Sequence, residues 1–508
     1  MAIQLTTPGV YITEQEAFPS SVVAVPTAIP AFIGYTEKAL RQGSDLRHIP
    51  TRIASLSDYL AYFGGGPKPV FSYRKPDRHT PFQLAEPKGR YLLYHCLKWF
   101  FANGGSDCYI VSIGDYHTPV RKEDMDGEEI DARQKTIRKG IRALEQEPEP
   151  TLLLIPDAVL LPAADCAAIQ KSMLEHCGKV VGNRFAILDV HDGFMPRDPD
   201  PQADVIVRFR ESIGDDHLGW GAAYYPWMHT SITEANALDF NWIDENARAG
   251  MVADMLAEAE QAMVAGRLNQ SGAEKVKAEI NKINAARADD IRAIHQNLLV
   301  LSPLYKAVMA ALLEQVNLLP PAAGVAGMYA MVDNTTGVFH APANVSLNAV
   351  LRPAVQLTSA EQEDLNAPIN SKAVNAIRAF PGNGVLIWGA RTLDGNSQDW
   401  RYINVRRTAI FIEQSLKSAI ELFVFQPNTV ATWTNVKALV AGFLTQFWQQ
   451  GALAGAVATD AFSVDIGLGD TMTQQDVLDG RMRITVKVAI THPAEFIVIT
   501  FEQQMQPA

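Results

Sequence analysis

A histidine beside a carboxylate is a common means of moving a proton. His191-Asp192-Gly193 offers such a pair directly after an apolar run, but no nucleophile motif accompanies it, and the trio reads more simply as a polar turn. Asp394 to Asp399 carries side-chain oxygens at alternate places, as a calcium loop does. Its sixth position is Asp399 where that loop needs Gly, and its twelfth is Val405 where it needs Glu. Gly64-Gly65-Gly66 runs into Pro67 with no Gly-Lys-Ser/Thr behind it, so it is a loop rather than a phosphate cradle. The 11 histidines include no His-Glu-x-x-His pair, and neither GxSxG nor GxGxxG occurs. Cys96, Cys108, Cys166 and Cys177 form no CxxC pair, which fits buried thiols in a reducing compartment. The residues able to do chemistry therefore give no catalytic, cofactor-binding or metal site, and the expectation is a protein that is not an enzyme.

The elements that would position such residues follow from periodicity. Thr7-Pro8-Gly9 is a turn, Val10 to Thr13 is a short β-prone run, and Pro19 and Pro26 keep the opening extended. Ala28 to Tyr35 reads as a buried strand. Residues 64–90, rich in Pro, Arg and Lys, read as a long surface loop. Tyr91 to Phe101 reads as a helix stopped by Asn103-Gly104-Gly105. Cys108 to Ile113 is a strand, and residues 123–131 form an acidic exposed loop. Thr151 to Ile155 and Arg184 to Val190 are strands on either side of a helical stretch, a β-α-β rhythm.

From about Thr233 to Gln315 the pattern is helical. Val276, Ile280, Ile283, Ile291, Ile294 and Leu298 make one stripe, with a helix bent near Arg287. Leu319-Pro320-Pro321 ends that region. Ile412, Leu416, Ile420 and Phe423 make a second stripe. Trp433, Val436, Val440, Phe443 or Leu444, and Phe447 make a third, leaving Lys437, Thr445 and Gln449 off it. Met482, Ile484, Val486, Val488 and Ile490 alternate with polar residues from Arg481 on, as a half-buried antiparallel strand does. Phe496 to Phe501 is apolar on both faces.

A chain of 508 residues exceeds one hydrophobic core, so several domains are expected. With 47% hydrophobic and 20% charged residues it has globular composition. A net charge of −12 argues against a nucleic-acid partner. No secretory signal and no membrane-spanning run is expected, which fits a chain made and kept soluble in the cytoplasm.

Several blocks carry a resemblance. Residues 319–344, 384–395, 400–416, 447–456 and 491–503 strongly resemble the contractile tail sheath family of phages and related injection systems, as do 7–15, 103–113 and 184–190. They lie in family order along nearly the whole chain; residues 233–300 are the least family-like. The resemblance implies a multi-domain α/β (mixed α+β) fold. Residues 1–35 would be the N-terminal arm and first part of a core domain. Residues 36–329 would be an inserted outer part with a helical elaboration at 233–315. Residues 330–508 would complete the core. It further implies a homopolymer, in six-fold rings, around an inner tube protein, with baseplate and cap proteins and sheath paralogues as partners. Neighbours would be linked by exchanged terminal strands. The expected exchange residues are Val10, Tyr11, Ile12, Phe496, Val498 and Phe501 in the arms, with Ile484, Val486 and Val488 in the receiving strand. Lys437, Thr445 and Gln449 are the expected tube-facing residues. Released extracellular injection particles are favoured over a phage tail or an R-type bacteriocin, and a type VI sheath ranks last. An α/β enzyme and a non-contractile surface array are the rivals from other classes.

Overall fold

The structure, a computed structural model, describes residues 22–74, 82–130, 136–369 and 371–496. Val10, Tyr11, Ile12, Val498 and Phe501 lie outside the described residues. The chain has a mixed α/β fold and divides into two compact units. Among the described residues, one comprises Pro26–Arg407 with 493–496, and the other comprises Thr408–His492 with 22–25.

The first unit is organised by a nine-stranded sheet. Its strands are β1 (Pro30–Thr36), β2 (Thr51–Ile53), β3 (Cys108–Asp115), β4 (Leu152–Leu154), β5 (Phe185–Asp189), β6 (Gly221–Tyr225), β7 (Val345–Ser346), β8 (Asn375–Phe380) and β9 (Gly384–Trp388). They lie in the order β7-β9-β8-β6-β5-β4-β1-β3-β2. The run from β3 to β8 is parallel, and antiparallel β2 and β9 flank it. A parallel sheet covered on both faces needs strands that are apolar throughout. β1, Pro-Ala-Phe-Ile-Gly-Tyr-Thr, is buried at every position. β8 and β9, expected in a core domain beginning near residue 330, are thus joined to β1 through β6.

Helix α1 (Leu93–Ala102) and helix α2 (Ala322–Thr335) pack together beside this sheet. α2 is buried on nearly all sides, so its small residues set how near α1 can come. A Cβ on Gly327 would stand 2.5 Å from the Phe100 carbonyl oxygen.

A second hydrophobic core collects the helical stretch. Helices Glu245–Val264, Gln270–Asn281, Ile291–Leu301 and Pro303–Val316 pack around Met255, Ile280, Leu298, Val308 and Leu312. The stripe from Val276 to Leu298 is buried, apart from half-buried Ile291. It lies on two helices broken between Ala285 and Ile291, not on one bent helix. No single helix among the described residues is long and apolar enough to cross a membrane; Ile291–Leu301 and Pro303–Val316 together pass on composition but bend by 113°.

Two loop expectations are corrected. Within 64–90, Val70–Arg74 and Gln83–Lys88 pair as a hairpin, and Phe71 and Tyr73 enter the second core. Their alternation was hidden by the surrounding Pro and Lys. The acidic stretch from Glu123 forms a helical turn and then the strand Asp126–Ile130, paired with Thr136–Gly140. The carboxylates there meet cations on or just past the partner strand: Lys139 lies 2.7 Å from Glu129, and Arg142 lies 3.1 Å from Asp126. Met125 is buried beneath them.

In the second unit, helix α3 (Ile403–Ile420) enters at Thr408, and helix α4 (Val430–Gln449) packs on it. The Phe411 ring lies 6.1 Å from that of Phe443 and 5.4 Å from that of Phe447. Strands β10 (Phe462–Asp465) and β11 (Thr485–Val488) complete the unit as a two-stranded ribbon.

Candidate assembly surfaces

Open α/β sheets bind ligands where the strand order reverses, beyond the carboxyl ends of the strands. Here that place, between β1 and β4, is filled by the chain itself. Asp157 accepts hydrogen bonds from the backbone N–H of Tyr35 (3.1 Å) and of Leu92 (2.6 Å) at the start of α1. A Cβ on Gly34 would lie 2.6 Å from the same carboxylate, so glycine is what lets it in. Asp189, ending β5, accepts the N–H of Ala322 at the start of α2 at 2.7 Å. Both helix starts, the natural anion sites of such a fold, are thus capped internally.

Burial pushes the Asp157 carboxyl up to about 6, against the pull of the N–H groups of Leu92, Tyr35 and Leu93. Burial pushes Asp189 up to about 7. A carboxyl whose pKa rises on folding binds protons more tightly when folded, so its stabilising contribution is complete below about pH 4 and is lost as pH rises through the folded value. Asp189→Asn is therefore expected to narrow the difference in unfolding temperature between pH 5 and pH 8, read by differential scanning calorimetry. An unchanged difference would contradict the assignment.

The His191-Asp192 pair is not arranged for catalysis. His191 Nδ1 lies 3.2 Å from Asp192, and Nε2 lies 2.9 Å from the Leu161 carbonyl. Both ring nitrogens are committed, and Arg208 also approaches Asp192 at 3.6 Å. Cys166, in the adjoining cleft of about 310 Å³, has its thiol pushed up to about 12 by burial. Among the described residues no three His, Cys, Asp or Glu side chains gather as a metal site. Asp394 to Asp399 lies in the turn after β9.

The stretch expected to be the receiving strand is a strand over Thr485–Val488, shorter than 481–490. β11 pairs antiparallel with β10: Phe462 faces Val488, and Val464 faces Val486. Ile484 precedes the strand, and Ile490 makes an isolated bridge to Leu453. Val486 and Val488 are half-buried while Thr485 and Lys487 are exposed. The ribbon has only two strands, so among the described residues β11 is paired as a strand on one side alone. An isolated two-stranded ribbon is marginal in water, and an unpaired edge is a template for another strand. Phe496, at the base of the C-terminal arm, is 75% exposed.

On α4 the expected stripe of Trp433, Val436, Val440, Phe443, Leu444 and Phe447 is buried. Lys437 and Gln449 are exposed. Thr445 is half-buried, and its hydroxyl donates to the Ala441 carbonyl at 2.7 Å. It is therefore the weakest of the three as a contact residue.

Residues 396–504, which span α3, α4, β10 and β11, match the phage tail sheath C-terminal domain model. A tail sheath protein of Vibrio phage KVP40 is 25% identical over 137 residues, 26% of this chain and 20% of that relative. The match thus spans about a fifth of that relative's length. Among solved structures, the contracted helical sheath of the anti-feeding prophage (AFP) is 25% identical with a TM-score of 0.58. That likeness covers 98% of this chain and 100% of the other.

The chain resembles the contractile tail sheath proteins.

A sheath-like fold over the whole length is seen again in the contracted PVC sheath complex, from an extracellular contractile injection system. It has 24% identity and a TM-score of 0.59, with 99% of each chain covered. In the sheath-like C-terminal unit, one feature escaped sequence reading. Leu422, Val424, Phe425 and Val430, around the turn between α3 and α4, are exposed large apolar residues, Phe425 fully so at 102%. Phe425 also has a φ of +68°, a region that bulky residues rarely adopt. No spacing rule signals it, because the residues sit in a turn and not on a helix face.

Proposed function

We propose that this chain is the sheath subunit of a contractile, phage-tail-like machine, and that its role is structural. The observation that carries this reading is the end-to-end likeness to the contracted AFP helical sheath, at 25% identity over 98% of the chain. Subunits stack as six-fold rings around an inner tube in an extended arrangement. A change at the baseplate lets each subunit rotate and slide outward into closer packing, driving the tube through a target envelope. The energy resides in the packing, so no nucleotide or metal takes part.

Neighbouring subunits are held through the movement by exchanged terminal strands. The unpaired edge of β11, with Val486 and Val488 on its half-buried face, supports this reading, since it offers a backbone ladder to another chain's arm. Val10 to Ile12 and Phe496 to Phe501 are the strands offered. Lys437 and Gln449 on the exposed face of α4 are the tube contacts, with Thr445 at its margin. An extracellular injection particle is the favoured setting, with the sheath of a phage tail or an R-type bacteriocin as the alternative. Electron microscopy of the purified chain, alone and with the tube protein, tests the proposal.

A further inference from the structure

The C-terminal segment meets a built carboxylate receptor. Arg391, just past β9, presents its fork to Glu495: Nε lies 3.0 Å from Oε1, and Nη2 lies 2.6 Å from Oε2. Asn366 Nδ2 donates to Oε1 at 2.7 Å, and the Tyr402 hydroxyl donates to Oε2 at 3.2 Å. Both carboxylate oxygens are thus bonded twice. A bidentate arginine-carboxylate pair is among the strongest and most direction-specific polar contacts available to a protein.

Arg391 is also held by bonds that do not involve Glu495. The Arg391 side chain is only 6% exposed, and its Nη1 donates to the Asn366 carbonyl at 3.0 Å. The Arg391 N–H donates to Asn375 Oδ1 at 2.8 Å, and Asn375 Nδ2 returns a bond to the Arg391 carbonyl, also at 2.8 Å. A guanidinium so enclosed needs a carboxylate, because an unpaired buried charge is costly. Burial alone would raise the Glu495 carboxyl. The bonds from Arg391 and Asn366 outweigh it and hold the group below the ordinary range, so it is ionised at neutral pH. The next residue, Phe496, is 75% exposed.

We propose that Arg391, Asn366 and Tyr402 form a docking site for Glu495 of the same chain, which fixes where the C-terminal arm leaves the subunit and so sets the register in which the residues after Phe496 reach a neighbour. The inference rests on the strand-exchange reading above for its consequence, but the docking itself belongs to the single subunit. Glu495 acts here as a positioning residue, aligning the strand that reaches a neighbour.

Chymotryptic cleavage after Phe496 requires residues 493–496 to lie extended in the protease, and hence Glu495 to leave its site. In dilute subunit, Glu495→Gln is expected to speed loss of residues 497–508 about tenfold, followed by mass spectrometry, because one charge-assisted fork is lost. Arg391→Glu is expected to act at least as strongly, and the double variant Arg391→Glu/Glu495→Arg to recover protection. Wild-type protection is expected to be independent of protein concentration. An unchanged cleavage rate in Glu495→Gln would overturn the proposal. So would protection that grows with concentration, which would place Glu495 on a neighbour. Cylinder formation is scored separately, so failure of the sheath reading leaves the cleavage result intact.

Discussion

Deletion of residues 1–14 is expected to leave a folded subunit that no longer builds long cylinders. The two hydrophobic cores of the larger unit are built from described residues between Ile29 and Ile403, so that unit is expected to stay folded without the deleted segment. Assembly does need it, if a neighbour's arm is what satisfies the free edge of β11. Backbone groups on such an edge are hydrated in the free subunit and paired in the polymer, and each added strand also brings side chains onto the ribbon. Cylinder length in negative stain, with circular dichroism to confirm folding, is the check. Cylinders of normal length from the truncated chain would show that the arms are not the links.

Arg407→Ala is expected to cost about 3–5 kcal/mol of stability, the usual penalty for removing one partner of a buried ion pair. Arg407 and Asp333 are 3% and 1% exposed. Arg407 Nη1 lies 2.9 Å from Asp333 Oδ1, and Nη2 lies 2.5 Å from Oδ2 and 2.9 Å from the Thr27 carbonyl. Its guanidinium also stands 4.7 Å from the centre of the Tyr329 ring, whose hydroxyl is bonded to that of Tyr224 at 2.7 Å. Alanine would leave the Asp333 carboxylate inside with no counter-charge. The control is the Arg352–Glu314 pair, 51% and 52% exposed, where Arg352→Ala is expected to cost under about 1 kcal/mol. Urea unfolding midpoints separate the two cases. Equal losses would mean that the buried pair contributes no more than the exposed one.

How far the sequence could be read depended on whether the signal was local. The parallel strands were legible because burial on both faces demands unbroken apolar runs, as in β1 and β5. The face of α4 was legible because its stripe keeps helical spacing over the whole helix. Arg287 marked the interruption near 286–290, where the periodicity itself could not tell a bend from a break. The hairpin of Phe71 and Tyr73 was not legible: its inward residues are few, and their core is supplied by helices far along the chain. The acidic stretch after Glu123 reads as solvated until Lys139 and Arg142 are placed opposite it. The Glu495 docking site is the extreme case, because Arg391 and Glu495 are 104 residues apart and only the fold brings them together. The capped helix starts at Asp157 and Asp189 are likewise three-dimensional facts.

The most direct test of the central claim is negative-stain electron microscopy of the chain purified alone and then with its tube protein. Hollow, helically striated cylinders are the expected result, since the proposed sheath reading has the subunit's own surfaces make the polymer. A chain that stays monomeric even with the tube protein present would contradict the sheath assignment.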